Sequence, residues 1–249
     1  MARMAGRAVV ITSASNPRLR LVRRLASRNQ RERLGLFVCE GEDLVEAALA
    51  AGLEPVELLV DAERPVPELP PGEAVEPGLL AEVSSLGHPP RAIGIFRRDD
   101  LPRLDSRTPP PVGLALWHVA DPGNVGTLLR AADGFGPAFV ALSAGCADPT
   151  GPKALRASAG AVFRVPTARF DDALGLRIAL VAHAGKPLDE LELEEGTTFV
   201  LGAEREGIPD DVLAACEEIA TIPLAPGAES LNVAIAGAIA LYEWRRRPR

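Results

Sequence analysis

Residues 222–243 read IPLAPGAESLNVAIAGAIALYE, a polar segment followed by an almost unbroken apolar run. The run predicts a helix over 231–246 that packs closely on every side, with Ser230 at the N-cap position. It is too short to cross a bilayer, which needs roughly 20 residues. Asn232 falls at the start of the helix, where its amide can point at a neighbouring loop or a ligand.

The chain before this helix alternates between strand and helix patterns. The run VGLALWHV at 112–119 is continuously apolar, as is typical of a strand buried on both faces of a parallel sheet. We predict further strands at 138–143, 161–165, 177–182, 197–202 and 219–224, and helices at 127–133, 152–159 and 209–217. The pattern predicts an α/β domain over 112–249 with a mostly parallel sheet, whose ligands bind beyond the carboxyl ends of the strands.

A smaller α/β domain is predicted over 1–98, with a basic helix, a second helix at 42–51 and strands at 55–61 and 92–97. Residues 99–111 read DDLPRLDSRTPPP, with four prolines and three aspartates. Such a segment is predicted to be a linker between the two domains, because proline interrupts regular structure.

The net charge of −7 hides a basic segment in the first domain. Residues 16–33 contain seven arginines and one acid, Glu32. This local excess predicts a surface that faces phosphates, and the alternative is a solvated helix face.

Composition and spacing exclude several other classes of protein. The cysteines Cys39, Cys146 and Cys216 are far apart, which predicts reduced thiols in a cytoplasmic protein. The scattered cysteines and histidines predict no metal site. The first fifteen residues, MARMAGRAVVITSAS, contain no signal-peptide core, and no membrane-spanning run is present.

Three loops follow predicted strands and hold the candidate site residues. In ADPGNVGTLLR (120–130), Asn124 lies in the loop and Arg130 on the following helix; the alternative is an ordinary turn with a surface arginine. In LGAEREGIP (201–209), Gly202 lets a ligand lie against the backbone and Glu204 is the first carboxylate beyond the strand; the alternative is a turn with solvated charges. The third loop, 222–232, holds Ser230 and Asn232. The alternative to a functional role is a helix cap alone for Ser230, and for Asn232 a hydrogen bond that only fixes the position of a neighbouring loop.

Taken together, these stretches resemble the SpoU/TrmH family of RNA ribose 2′-O-methyltransferases in the SPOUT superfamily. The matching stretches are DPGNVGTLLRAADGFG (121–136), KALRASAGAVFRVP (153–166), LGAEREGIP (201–209) and IPLAPGAESLNVAIAGAIALYE (222–243). The N-terminal stretches ITSASNPRLRLVRRL (11–25) and GLFVCEGEDLVEAAL (35–49) resemble the substrate-binding domain fused to many members. One departure is Ala203, where many members have asparagine.

The resemblance implies a deep trefoil knot formed by the C-terminal segment, a homodimer with the active site near its interface, and S-adenosylmethionine bound in the knot. It implies that the catalytic residues are Arg130, Asn124, Glu204, Ser230 and Asn232. The implied cofactor-binding residues are Leu201, Gly202, Ala203, Gly207, Ile222, Leu224, Ser230 and Leu231. The expected RNA-binding residues are Arg18, Arg20, Arg23, Arg24, Arg28, Lys153 and Arg156.

The expected activity is S-adenosylmethionine-dependent 2′-O-methylation of RNA ribose, with 23S ribosomal RNA as the expected substrate. Because a guanidinium in a protein stays protonated, Arg130 is expected to hold the target phosphate and stabilise the developing alkoxide. One alternative is a tRNA 2′-O-methyltransferase, and another is a non-catalytic RNA-binding protein on a methyltransferase scaffold. A nucleotide-binding oxidoreductase is disfavoured because the chain has no GxGxxG motif.

Overall fold

The computed structural model describes residues 10–247. The chain divides into two compact units, Met1–Leu101 with Thr150–Pro152, and Pro102–Pro149 with Lys153–Arg249. The division after Leu101 falls within the proline-rich segment 99–111. The expectation about a signal peptide rests in large part on residues 1–9, which lie outside the described residues.

From residue 10 onward, the first unit contains four α-helices and a four-stranded sheet. The helices are α1 (Pro17–Leu25), α2 (Arg28–Leu34), α3 (Glu42–Ala50) and α4 (Pro77–Val83). The strands are β1 (Leu36–Glu40), β2 (Glu57–Asp61), β3 (Glu73–Val75) and β4 (Ala92–Arg97). The sheet order is β1-β4-β2-β3, with β2 and β3 parallel and the other pairs antiparallel.

Helix α1 begins where the sequence supplies both start signals. Asn16 Oδ1 accepts a hydrogen bond from the backbone N–H of Arg18 at 2.9 Å, and Pro17 occupies the first helical turn. Its buried residues Leu19, Val22 and Leu25 recur every three residues, so they form one apolar face. Arginines therefore occupy much of the opposite face.

The second unit contains a seven-stranded sheet with four helices. The strands are β5 (Val112–Leu116), β6 (Ala138–Leu142), β7 (Thr167–Arg169), β8 (Leu176–Leu180), β9 (Lys186–Pro187), β10 (Thr197–Leu201) and β11 (Glu218–Thr221). The helices are α5 (Pro122–Phe135), α6 (Pro152–Ser158), α7 (Asp210–Leu213) and α8 (Val233–Arg246). The sheet order is β7-β6-β5-β10-β8-β11-β9, and every neighbouring pair is parallel. The predicted α/β class with a mostly parallel sheet is confirmed.

The strand order places the carboxyl ends of β5, β10, β8 and β11 side by side. The chain runs from β5 outward to β6 and β7, then returns to the other side of β5 to form the rest of the sheet. Strands β5 and β10 are buried along their whole length. Such a reversal of strand order opens a crevice at the carboxyl ends, where open α/β sheets bind ligands.

Helix α8 approaches α5 and β10 closely at Gly237. A Cβ atom on this residue would lie 2.3 Å from Cδ2 of Leu128 and 2.8 Å from Cδ1 of Leu201, so a larger residue would require these leucine side chains to move. The prediction that the helix packs on every side is wrong, because Ile235 and Tyr242 are 53% and 54% exposed. No helix within 10–247 is both long and apolar enough to span a bilayer.

Other predictions also need correction. The segment 161–165 is not a strand: Ala161–Phe163 form one 3₁₀ turn, and strand β7 begins at Thr167. The apolar run is buried because it packs against α5, and a short apolar run does not distinguish a buried turn from a buried strand. The linker is partly ordered, because Leu104 N donates to Thr167 O at 3.0 Å along the edge of the sheet.

Candidate active site

Asn232, not Ser230, caps helix α8. Oδ1 of Asn232 accepts hydrogen bonds from the backbone N–H groups of Ala234 at 2.9 Å and Ile235 at 3.3 Å. The prediction of Ser230 as the cap is therefore wrong, because α8 begins two residues later than expected. Ser230 is exposed in the preceding loop.

Asn124 lies in the first turn of α5 and not in a loop, which corrects a second prediction. The helix begins at Pro122, since Asp121 Oδ1 accepts from the backbone N–H groups of Gly123 at 2.7 Å and Asn124 at 3.1 Å. Asp121 Oδ2 accepts from Nζ of Lys153 at 2.9 Å. The hydrogen bond from Lys153 lowers the pKa of the Asp121 carboxyl below its ordinary value, as do the two backbone N–H groups.

Asn232, Asn124 and Glu204 form a hydrogen-bonded chain that joins three distant parts of the sequence. Nδ2 of Asn232 donates to Oδ1 of Asn124 at 3.0 Å, and Nδ2 of Asn124 donates to Oε1 of Glu204 at 2.7 Å. The N-terminus of α8 fixes the orientation of Asn232, so each amide in turn has one possible orientation. These hydrogen bonds fix the orientation of the Glu204 carboxylate beyond the carboxyl end of β10.

A cavity of about 620 Å³ lies beyond the ends of β8, β10 and β11. All eight residues predicted to bind cofactor line it, and so do Glu204 and Asn232. The sequence prediction missed the other lining residues, which are Leu180, Val181, Ala182, Arg205, Ile208, Glu229, Val233 and Ala236. Ala182 was detectable in principle, because it closes the predicted strand 177–182 and ligands bind beyond strand ends.

Gly202 lines this cavity, and the structure gives a further reason for glycine at this position. A Cβ atom on Gly202 would lie 2.3 Å from the backbone carbonyl of Gly207 and 2.7 Å from the side chain of Ile208. The missing side chain therefore makes room for the loop itself. That loop is closed by two backbone hydrogen bonds between Ala203 and Gly207, at 3.1 and 3.0 Å.

A second cavity, of about 740 Å³, lies beyond the end of β5. It shares part of its wall with the first cavity through Ala203, Glu204, Arg205 and Asn232. Its other lining residues are His118, Ala120, Asp121, Asn124, Gly145 and Glu206. The hydrogen-bonded chain therefore lies where the two cavities meet.

Arg130 is not brought together with the other predicted catalytic residues. It is exposed on α5 and lines neither cavity. Six residues separate it from Asn124, which places the two side chains on different faces of the helix. Within one chain, the structure thus assembles Asn124, Glu204 and Asn232 but leaves Arg130 apart.

The predicted RNA-binding arginines of the first unit divide into two groups. Arg18 bonds to Glu57 at 2.8 Å, Arg28 bonds to Glu32 at 2.8 Å, and Arg23 contacts Glu82 at 3.4 Å. Arg20 and Arg24 are exposed, and no acidic side chain among the described residues pairs with either.

The last two arginines of the basic segment also differ from each other. Arg31 is buried and donates to the carbonyls of Leu25 and Ala26 at 2.9 Å each, so the expectation that all seven arginines face phosphates is wrong. Arg33 is exposed and, like Arg24, donates to Gln30.

The two predicted RNA-binding residues of α6 are exposed. Lys153 is bound to Asp121, as described above, so it supports the first turn of α5. Among residues 10–247, no cluster of three histidine, cysteine, aspartate or glutamate side chains could hold a metal ion.

Family models match both parts of the chain. Residues 111–242 match the SpoU rRNA Methylase family, and residues 16–86 match the MRM3-like substrate binding domain. An uncharacterized tRNA/rRNA methyltransferase from Synechocystis sp. is 34% identical, with 95% of this chain and 93% of that protein covered. The 23S rRNA (guanosine(2553)-2′-O)-methyltransferase of Bacillus subtilis is 32% identical, with 94% and 98% covered.

Solved structures agree with these matches. The AdoMet-bound rRNA methyltransferase from Sinorhizobium meliloti has a TM-score of 0.81 at 27% identity and covers 97% of this chain and 98% of its own. A putative RNA methyltransferase of the TrmH family from Porphyromonas gingivalis has a TM-score of 0.80 at 32% identity, with 94% and 99% covered.

Proposed function

The chain belongs to the SpoU rRNA methylase family, and we propose that it transfers a methyl group from S-adenosylmethionine to a ribose 2′-oxygen of 23S ribosomal RNA. The observation that carries this proposal is the hydrogen-bonded chain Asn232–Asn124–Glu204 at the junction of two adjoining cavities. One cavity suits the methyl donor and the other suits the acceptor.

The first cavity fits S-adenosylmethionine in size and chemistry. Its volume of about 620 Å³ lies in the range of small-molecule pockets, roughly 300–1,000 Å³. Leu201, Ile222 and Leu224 offer apolar surface to the adenosine, while Glu204 and Glu229 suit the positive charges of the ligand. When bound, the cofactor supplies an electrophilic methyl group.

The side chains at the junction orient the acceptor. Glu204 is held by Asn124, so its second carboxylate oxygen stays available to accept a hydrogen bond from the ribose hydroxyl. Alignment of two reacting groups contributes about 7–11 kcal/mol to catalysis. We assign alignment of the acceptor to Asn124, Glu204 and Asn232, contact with the methyl donor to Ser230, which lines the first cavity, and stabilisation of the alkoxide to Arg130.

We also propose that two copies of the chain form a homodimer. Ile235 and Tyr242 are exposed two turns apart on α8, and Phe135 of α5 packs against the Tyr242 ring with centroids 5.7 Å apart. Arg130 is exposed on the same helix as Phe135. A partner docked on this face would cover the apolar side chains, and Arg130 could then reach the partner's cavities.

A trefoil knot and a cytoplasmic location complete the proposal. The knot is supported by the α/β architecture and by segment 222–232, which returns to loop 201–209 around the first cavity. The location follows from a ribosomal RNA substrate. It agrees with the three cysteines, which form no disulfide.

The experiment uses the full chain with S-adenosylmethionine labelled on the methyl group. The RNA samples are 23S rRNA, 16S rRNA and total tRNA from a strain that lacks the gene. We expect label in 23S rRNA alone, at one ribose, mapped as a position resistant to alkaline cleavage. Label in tRNA would favour the tRNA enzyme, and cofactor binding without labelling of any RNA would favour the non-catalytic alternative.

A further inference from the structure

His118 is a polar side chain of the second cavity that the proposed chemistry does not use. It follows β5 directly, is exposed, and lines the cavity together with Asn124 and Glu204. Among the described residues, no group hydrogen-bonds to its ring nitrogens; only its backbone N–H is bonded, to Oγ of Ser143 at 2.9 Å. The imidazole is therefore available to a ligand.

The ring of His118 is held in a fixed position. It stacks on Trp117 with centroids 4.7 Å apart and an angle of 6°, and Phe170 packs edge-on against Trp117 at 5.1 Å. On another side Gly145 lies so close that a Cβ atom there would sit 2.5 Å from Cδ2 of His118. The backbone of His118 has φ of 53°, a left-handed conformation that few residues other than glycine adopt.

The charges of the cavity decide which part of a nucleotide can enter it. Glu204 and Glu206 contribute two carboxylates to its wall, against the single guanidinium of Arg205. The third carboxylate, Asp121, is already paired with Lys153 and caps α5. Such a wall repels phosphate and offers acceptors to ribose hydroxyls and to the N–H groups of a base. A volume of about 740 Å³ leaves room for a nucleoside.

We propose that the second cavity takes the ribose and base of the target nucleotide, and that His118, fixed between Trp117 and Gly145, positions this nucleoside by hydrogen bonding to its base. His118 is a positioning and specificity-determining residue. The inference rests on the proposed methyl transfer, because it identifies the part of the RNA that enters the cavity beside the methyl donor.

The main variant is His118→Gly, which removes the ring and tolerates the left-handed backbone. We expect kcat/KM for the methylated RNA to fall about 10- to 100-fold, the usual effect of one lost hydrogen bond in a site built around it. The loss should be in KM more than in kcat, and discrimination against RNA with another base at the target position should weaken. Affinity for S-adenosylmethionine should stay within about twofold. His88→Gly, an exposed histidine of the first unit, is the matched control.

Gly145→Ala tests whether the position of the His118 ring matters, because it leaves His118 itself in place. The added methyl group must displace the imidazole, so this variant should reproduce the loss in discrimination. In the His118→Gly background the ring is gone, and Gly145→Ala should add little further loss. Full additivity of the two changes would mean that Gly145 acts independently of His118.

A direct binding experiment separates this inference from the proposed function. The full chain is saturated with S-adenosylhomocysteine and titrated with adenosine, guanosine, cytidine or uridine while tryptophan fluorescence is recorded. Trp117 reports on the ring of His118, on which it stacks, and the other tryptophan, Trp244, is buried. We expect one nucleoside to change the signal at millimolar concentration, its 5′-monophosphate to bind more weakly, and His118→Gly to abolish the response.

The outcomes are distinguishable. If the protein methylates RNA but His118→Gly changes neither discrimination nor KM, the inference fails and the proposed function stands. If nucleosides bind in a His118-dependent way and no RNA is methylated, the proposed function fails and the nucleoside site stands. If neither RNA methylation nor nucleoside binding occurs, both are overturned.

Discussion

Asn232 donates a hydrogen bond to Oδ1 of Asn124 at 3.0 Å, although 108 residues separate the two in sequence. Oδ1 of Asn232 is already engaged by the first backbone N–H groups of α8, so its amide can point in only one direction. Helix α8 thereby determines the orientation of Asn124, and Asn124 determines that of Glu204. A helix terminus thus controls the orientation of a carboxylate on another loop.

The first prediction concerns Asn124→Asp. This change replaces the amide donor that faces Glu204 with an oxygen, so two carboxylates would meet at about 2.7 Å and repel each other. We expect turnover to fall about 10- to 100-fold. Affinity for S-adenosylmethionine should fall less than turnover, because Asn124 itself lines only the second cavity and affects the first only through Glu204. Single-turnover methylation and calorimetric titration measure the two quantities. In Asn232→Asp, whose side chain lines both cavities, cofactor affinity should fall as well.

The second prediction concerns Arg130. Arg130→Ala should lower turnover by about 10²–10³, as expected for loss of a preorganised charged group, and Arg130→Lys should restore little. Arg169→Ala, another exposed arginine of the second unit, is the control. Rates at saturating RNA decide the question. If Arg130→Ala keeps the wild-type turnover but binds RNA more weakly, Arg130 contacts a phosphate and does not stabilise the alkoxide.

The third prediction concerns the arginines of the first unit. The triple variant Arg20→Ala, Arg24→Ala, Arg33→Ala removes exposed guanidinium groups that pair with no acidic side chain of residues 10–247. The slope of log affinity for RNA against log salt should fall by up to about one unit per lost phosphate contact.

Arg18→Ala is the comparison for that variant. Arg18 is bound to Glu57 and Glu73, and these two acids raise the pKa of its guanidinium above the ordinary value. We expect a change in slope smaller than one third of that of the triple variant, because the charge is already partly neutralised. An equal change per arginine removed would contradict the division of the arginines into two groups. Filter-binding titrations at several salt concentrations supply the slopes.

The fourth prediction concerns pH and Asp121. The pKa of this carboxyl is lowered in the folded protein, so its contribution to stability is present above the ordinary value of 3.8 and is lost as pH falls through the lower folded value. Asp121→Asn keeps a good helix cap but loses the charge facing Lys153. The pair is largely exposed, so we expect a loss of about 0–1 kcal/mol near pH 7. Urea unfolding of both proteins should give stabilities that converge as the pH falls below 3.8; a difference that grows on acidification would refute the assignment.

Periodicity and loop chemistry predicted the second sheet well but not its details. Long buried strands such as 112–116 and 197–201 are recognisable because continuous apolar runs are typical of parallel sheets. The short segments could not be recognised in this way. Strand β3 has three residues, and the 3₁₀ turn Ala161–Phe163 has the same apolar composition as a strand. Only the tertiary contacts with α5 decide its conformation.

The residue types of the site were predictable, but their geometry was not. The loops holding Asn124, Glu204 and Asn232 could be placed at one edge of the sheet, since parallel strands end together. The direction of each amide depends on which residue caps α8, and a shift of two residues in that helix moves the cap from Ser230 to Asn232. His118 was passed over as one of three scattered histidines, because neither its left-handed backbone nor its stacking on Trp117 leaves a signal in the sequence.

The parallel sheet also sets the time at which the protein acquires activity during its synthesis. Asn232 follows all seven strands of the second sheet, and both cavities include it. A growing chain therefore cannot assemble either cavity until the segment that precedes α8 has been made, and such long-range closure is slow compared with local helix formation. A chain ending at Ala228 should have no measurable affinity for the methyl donor. The enzyme would then be inert while it is itself being translated on a ribosome, the assembly that contains its proposed substrate.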